Sequence, residues 1–325
     1  MADYRHIFKK AAKIIGLVLA GLLVVLFLIA VIPINTSDLV SQPDPATSYE
    51  DSVGRIQTVI ADEAGKVCDI CGTRFYTHGA RTEKAVVLVH GLTNSPRQFE
   101  ELGQMLYNDG YNVLIPRLPY HGLQTHTVSE LANTTTKDLR LFSDQIADMA
   151  AGLGDEITVV GLSGGGTVAA WIAQNRSDVT KVVMIAPLYG VAPVPPLANE
   201  MLGNLFTRIP DITWSSSSEA PRESVYMGWS TRGVAEYMVF SRAAKPSEEG
   251  EPSQVKDIVL VTNGNDHTVN NGMSEVVVQE WETAGAAITR YQFDESLGLP
   301  HDVVDMASIG DKSQWIYPIL IGLIE

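Results

Sequence analysis

The stretch Ile157-Thr158-Val159-Val160-Gly161-Leu162-Ser163-Gly164-Gly165-Gly166-Thr167-Val168-Ala169-Ala170-Trp171-Ile172-Ala173-Gln174-Asn175 decides the fold. Its first four residues form a β-branched apolar run, its last nine are compatible with a helix, and a glycine-rich turn with one serine joins the two. A serine at the tip of such a turn is held in a strained backbone conformation. The positions two residues to either side must be small, so that strand and helix can approach; Gly161 and Gly165 meet that need. The N–H groups at the start of the helix point at the serine and favour negative charge developing there. A glycine-rich phosphate- or dinucleotide-binding turn is the structural rival. The sequence has neither the Lys-Ser or Lys-Thr of the first nor the G-x-G-x-x-G spacing of the second.

Outward from this turn, short β-branched runs alternate with longer helical patterns. The strands expected are Lys84 to Val89, Tyr111 to Ile115, Ile157 to Val160, Lys181 to Ile185, Asp257 to Thr262 and Ile288 to Phe293. Several are continuous apolar runs, as strands covered on both faces must be. Helices are expected over Pro96 to Asn108, Thr135 to Gly152, Gly165 to Asn175 and Gly272 to Ala284. The alternation implies an α/β class with a parallel sheet flanked by helices. Residues 188–256 break the rhythm with prolines, the serine run Ser215 to Ser218, Trp214, Trp229 and a Met/Tyr cluster. A structureless connection of that length is improbable, so a cap insertion with helices of its own, such as Arg232 to Ala244, is expected. Its large apolar residues would face a substrate; an inert extra lobe is the alternative.

A serine hydroxyl becomes a useful nucleophile only beside a base, and the base needs an acid to hold its tautomer. Asp266 follows the strand DIVLVT in Asn263-Gly264-Asn265-Asp266-His267, and His301 follows ITRYQF in Leu299-Pro300-His301-Asp302. Both positions are carboxyl ends of expected parallel strands, where open α/β sheets place their ligands. The order Ser163, Asp266, His301 is that of a hydrolase built on such a sheet. Asp294 and Asp302 are the rival acids. Acyl transfer also requires two N–H donors aimed at an oxyanion, and the backbones of Leu92 and Gly164 supply them. His90, Gly91 and His121 are expected around the oxyanion loop and cleft, with Trp214 and Trp229 contacting substrate from the cap.

The other end of the chain reads differently. Residues 14–34 run IIGLVLAGLLVVLFLIAVIPI without a charge, which at about 1.5 Å per helical residue spans a hydrocarbon core of about 30 Å. A cleaved signal peptide would have a shorter apolar region followed by small residues; this run ends in Ile32-Pro33-Ile34. Arg5, Lys9, Lys10 and Lys13 precede it and no Lys or Arg follows until Arg55, so residues 1–13 are expected to form a cytoplasmic tail, 14–34 a transmembrane helix, and everything after Asn35 to be extracytoplasmic. Residues 35–52, rich in Pro, Ser, Asp and Thr, have the composition of a linker, with the hydrolase domain over 53–325 and folding starting near Val53. In the 325 residues the net charge is −15, which argues against nucleic-acid partners. The only two cysteines, Cys68 and Cys71, fit a small structural disulfide in an oxidising compartment better than a redox or zinc site. No metal or organic cofactor is implied.

The segments VVLVHGLTNSP, IPRLPYHG, VVGLSGGGTVAA, NGNDHTV and LPHD together resemble the α/β-hydrolase superfamily, nearest its carboxylesterase and monoacylglycerol-lipase-like branch. The resemblance runs from about Lys84 to the C-terminus, except for the cap. It implies an eight-stranded, mostly parallel sheet, a Ser-Asp-His triad and hydrolysis of an ester through an acyl-enzyme. A serine aminopeptidase, an acyltransferase and a non-catalytic hydrolase-like binding protein are the alternatives on the same scaffold. Gly164 departs from the pattern, since relatives commonly carry Leu, Met or Gln there; the smaller residue is expected to loosen the elbow or widen the pocket.

Overall fold

The computed structural model describes residues 2–215, 224–246 and 253–325, so that Ser216 to Ser218 of the serine run lie outside the described residues. In chain order the strands are β1 (Arg74–Tyr76), β2 (Thr82–Val89), β3 (Asn112–Ile115), β4 (Gly154–Leu162), β5 (Lys181–Ile185), β6 (Thr213–Ser215), β7 (Gly228–Ser230), β8 (Asp257–Asn263) and β9 (Ala287–Phe293). The helices are α1 (Ala2–Val31), α2 (Tyr49–Glu63), α3 (Glu100–Asn108), α4 (Thr136–Ala150), α5 (Gly164–Asn175), α6 (Pro196–Phe206), α7 (Thr231–Phe240), α8 (Asn271–Thr283), α9 (Met306–Ile309) and α10 (Ser313–Ile324).

The main sheet has the order β1-β3-β2-β4-β5-β8-β9, parallel except for β1, which runs antiparallel to β3. The fold class is therefore the one expected, with one correction. Among the described residues the sheet has seven strands rather than eight. Upstream of β1 the chain forms α2 instead of a strand, because Ser48 accepts the Asp51 N–H and Glu50 and Asp51 occupy the first turn, a favourable N-terminus for a helix. Strand order reverses at β2, with β3 on one side and β4 on the other, which makes the crevice at the carboxyl ends of β2 and β4 the switch point of the sheet. Gly91 and Leu92 leave β2 on that edge, and Ser163 leaves β4.

Val86 to Val89, Val159, Val160, Val182 to Met184 and Ile258 to Val261 are all buried, as central strands covered on both faces require. Trp171 of α5 and Trp281 of α8 are the largest fully buried side chains over these faces. The last helix, α10, adds Ile316, Tyr317, Leu320 and Ile324 to the same core. Residues 188–256 contribute α6, the two-stranded β6–β7 ribbon and α7, whose Phe206, Trp229 and Met238 share one cavity wall with Ser163 at the switch point.

Two expectations about the N-terminal part need revision. Residues 35–52 are not a free tether. Leu39 and Ala46 are buried, the Trp171 indole N–H donates to Leu39 O (2.8 Å), and Ser41 Oγ and Gln42 N donate to the two Asp144 oxygens (2.5 and 3.0 Å). Asp44 N donates to Asp148 (3.0 Å). Arg176, almost fully buried, pairs with Asp144, Asp148 and Asp178 (3.1, 2.6 and 2.6 Å), so the strap is fastened to a buried charge cluster between α4 and α5. Ordered structure thus begins well before Val53. Polar composition concealed this, because the bonds are made by backbone N–H and C=O groups and by one serine hydroxyl. Cys68 and Cys71 are disulfide-bonded.

Candidate active site

Ser163 sits between β4 and α5 at φ 56°, ψ −115°, a left-handed conformation in which a side chain is strained. The turn is that tight because backbone meets backbone: a Cβ on Gly161 would lie 2.0 Å from Gly165 O, and one on Gly165 would lie 2.0 Å from Val89 O. The Ser163 N–H donates to Ile185 O (2.9 Å), which ties the turn to β5.

Asp266 and His301 come together from the ends of β8 and β9. His301 Nδ1 lies 2.7 Å from Asp266 Oδ2, while Asp266 Oδ1 accepts the N–H groups of Thr268 and Val269 (2.8 and 3.2 Å). Burial of the Asp266 carboxyl works against ionisation, yet the His301 bond and the two N–H donors outweigh it and hold its pKa below the usual carboxylate value. An ionised Asp266 keeps the proton on Nδ1 and leaves Nε2 as the acceptor. That Nε2 is buried, has no hydrogen-bond partner among the described residues, and belongs to a residue that lines one cavity with Ser163. The rival acids are engaged elsewhere: Asp294 accepts from Ser296, and Asp302 accepts from Gln98 Nε2 (2.7 Å) and from the N–H groups of Val304 and Asp305.

The oxyanion loop is fixed from behind. His90 Nε2 accepts the Leu118 N–H (3.1 Å), so its proton is on Nδ1 and is donated to Gly91 O (2.9 Å). The Gly91 carbonyl and the Leu92 N–H belong to one peptide plane and point opposite ways, so pinning the first aims the second. His121 lies with Nε2 2.6 Å from Leu92 O and Nδ1 2.8 Å from Pro119 O. Burial pushes the His90 pKa well below its ordinary value and that of His121 down to about 4, so both are neutral at pH 7. Gln98 completes the brace. Its Oε1 accepts the Gly91 N–H (2.7 Å) while its Nε2 holds Asp302, which joins the loop after β2 to the loop carrying His301.

The cavity measures about 440 Å³ and is mainly apolar, with Leu162, Leu188, Leu202, Phe206, Val234 and Met238 in its wall and Gln98, Thr268 and Asp302 among its polar points. Of the residues read from sequence, Ser163, His301, Gly91, Leu92 and Trp229 line it. His90 and His121 do not; they are fully buried supports of the loop rather than substrate contacts. Trp214 pairs with Trp229 across the β6–β7 ribbon, where neighbouring side chains share a face, yet it stays 65% exposed and outside the cavity. Gly164 does not widen the pocket. A Cβ there would lie 2.9 Å from the Tyr237 ring and 3.3 Å from Leu92 N, so the buried tyrosine of α7 fills the volume a larger residue would take. Sequence reasoning missed Gln98, Thr268 and Tyr237, whose roles depend on loops and a cap that meet only in the folded chain.

A family model described as serine aminopeptidase, S33, matches residues 80–232. The thermostable monoacylglycerol lipase of Bacillus sp. (strain H-257) is 26% identical over 212 residues, covering 63% of this chain and 79% of the lipase. Among solved structures, one from work on the metagenome-derived lipolytic enzymes LipS and LipT has a TM-score of 0.57 at 19% identity, covering 79% of this chain and 99% of that one. The monoacylglycerol lipase of Paleococcus ferrophilus gives 0.55 at 19% identity, covering 78% and 97%. With the sheet order, the strained serine turn and these likenesses together, the chain has the α/β-hydrolase fold and is similar, within it, to monoacylglycerol lipases.

Proposed function

We propose that this chain is a serine hydrolase of carboxylic esters, anchored by α1 with its catalytic domain on the extracytoplasmic side, and that its substrates carry an acyl chain. The supporting observation is the Nε2 of His301, without a partner among the described residues, in the cavity that holds Ser163, backed by the Asp266 bond at 2.7 Å. In this reading Ser163 Oγ attacks the ester carbonyl carbon as His301 Nε2 takes the hydroxyl proton, and Asp266 stabilises the imidazolium. The carbonyl oxygen becomes an oxyanion between the Leu92 and Gly164 N–H groups. Collapse expels the alcohol, which leaves with the proton from His301. Water, deprotonated by the same nitrogen, then releases the acid and restores Ser163. The apolar wall takes the acyl chain.

Ser163→Ala is expected to abolish p-nitrophenyl butyrate hydrolysis and fluorophosphonate labelling in a chain that still folds, and Asp266→Asn to lower kcat by up to about 10⁴-fold. Wild-type turnover in the serine variant overturns the proposal. A second reading, amide cleavage at a free amino terminus, is favoured by the description of the matching family model. Asp302 is the acidic group in the cavity wall that would receive the ammonium. Turnover of alanine p-nitroanilide exceeding that of the butyrate ester would select it.

A further inference from the structure

The last carbonyls of a helix have no partners within it, and in α1 they are taken by the cap. Arg208, just beyond α6, donates from Nη1 to Ile29 O (2.8 Å) and Ile32 O (2.5 Å) and from Nη2 to Pro33 O (3.3 Å). Asn204 of α6 donates from Nδ2 to Ala30 O (2.9 Å), and its Oδ1 accepts from Ile34 N (3.3 Å) and from Arg242 Nη1 (2.8 Å). Side chains agree with the backbone. Ala30 is buried and Leu26 and Ile29 are half-buried, a stripe at helical spacing, whereas the other residues of α1 from Ile14 onward are exposed. The anchor is therefore seated on α6, the same helix that puts Leu202 and Phe206 into the wall of the cavity.

This seating fixes a depth. If the apolar part of α1, from Ile14 to its last residue Val31, spans the hydrocarbon, Leu26 lies five residues inside the outer end, or about 7.5 Å along the helix. The surface that covers it must sit at the level of the headgroups and the first part of the acyl chains. Leu197 of α6 and Ile212 just after α6 are 71% and 56% exposed, an unfavourable arrangement in water and a favourable one there. Arg208 and Arg242 at the end of α1 are suited to the phosphate level of the same leaflet.

We propose that α1 holds the cap in the bilayer surface, so that the cavity takes a monoacyl ester lipid directly from the membrane in which the chain is embedded. The substrate part of this inference rests on the esterase reading above; the seating of the cap does not. The test uses the full chain in phosphatidylcholine vesicles, with an environment-sensitive fluorophore on Leu197→Cys, Ile212→Cys or, as a control, Val276→Cys, which is exposed on α8. The native cysteines are bonded to each other and do not compete for the label. Lipids carrying a spin label near the top of the acyl chain are expected to quench the first two sites at least about twofold and to spare the third. Equal quenching at all three sites, or none at 197 and 212, overturns the seating.

Leu197→Asp combined with Ile212→Asp is then expected to slow hydrolysis of 1-oleoylglycerol in the vesicles about tenfold while changing that of aqueous p-nitrophenyl butyrate by less than about twofold. The butyrate rate also reports that the variant is folded. Equal losses on both esters overturn lateral supply. A wild-type chain inert toward both esters, yet quenched at Leu197, removes the esterase reading and leaves the seating standing.

Discussion

Gly164 and Tyr237 occupy one volume between them, and the pair gives a sharp test of how the elbow is packed. Gly164→Leu drives its first carbon against a fully buried ring, and overpacking of this kind costs about 1 to 3 kcal/mol. Tyr237→Ala empties the same volume at a cost of roughly 3 to 5 kcal/mol. The double variant is expected to be more stable than the sum of the two losses allows, and urea unfolding of all four chains checks this; strict additivity would place the ring elsewhere. A second residue-scale expectation concerns His121, which the fold keeps neutral down to about pH 4. Unfolded, it gains its proton near pH 6.5, so between these values the unfolded chain binds more protons and stability falls as pH falls. His121→Gln is expected to flatten the drop in urea midpoint between pH 6.5 and 4, and an unchanged slope would mean that other groups carry it.

Single elements were legible wherever one physical cause dominated. Continuous apolar runs marked β2, β4, β5 and β8 to within a few residues, and the Thr135 capping box with Asp138 marks the start of α4. Ser163, Asp266 and His301 stood out because each ends a strand in a turn rich in glycine or proline. Contacts between elements were not legible. The His90 and His121 supports, the Gln98–Asp302 link and the Tyr237 filling depend on how loops meet, which no local pattern encodes. The cap ribbon illustrates this. Trp214 and Trp229 look equivalent as sequence, and β6–β7 pairs them directly, but only Trp229 reaches the cavity. Trp229→Ala is accordingly expected to raise KM for an octanoate ester relative to a butyrate ester by about 1 to 3 kcal/mol of lost apolar contact, and Trp214→Ala to leave the ratio flat. Steady-state kinetics on the two esters would show whether the roles are reversed.

At the scale of the whole molecule, the strap over residues 35–48 makes the N-terminal boundary of the folded unit a matter of energetics. A chain beginning at Val53 loses Leu39 from the core, leaves the buried Trp171 N–H without its acceptor and strips Ser41 and Gln42 from Asp144. Burial opposes ionisation of Asp144, and these bonds help hold its pKa below the ordinary value, so their loss is felt at neutral pH. Such a chain is expected to be less stable than one beginning at Asn35 by roughly 3 kcal/mol or more, read from urea midpoints; equal midpoints would show that the strap contributes nothing. The link between Gln98 and Asp302 has a consequence of another kind. It spans 204 positions of sequence and joins the two halves of the chemistry, so neither half is a free module. A chimera that takes its C-terminal segment from a hydrolase with an apolar residue after the histidine inherits a glutamine with nothing to hold. Recombination between relatives, in the laboratory or in evolution, then has to exchange both ends together.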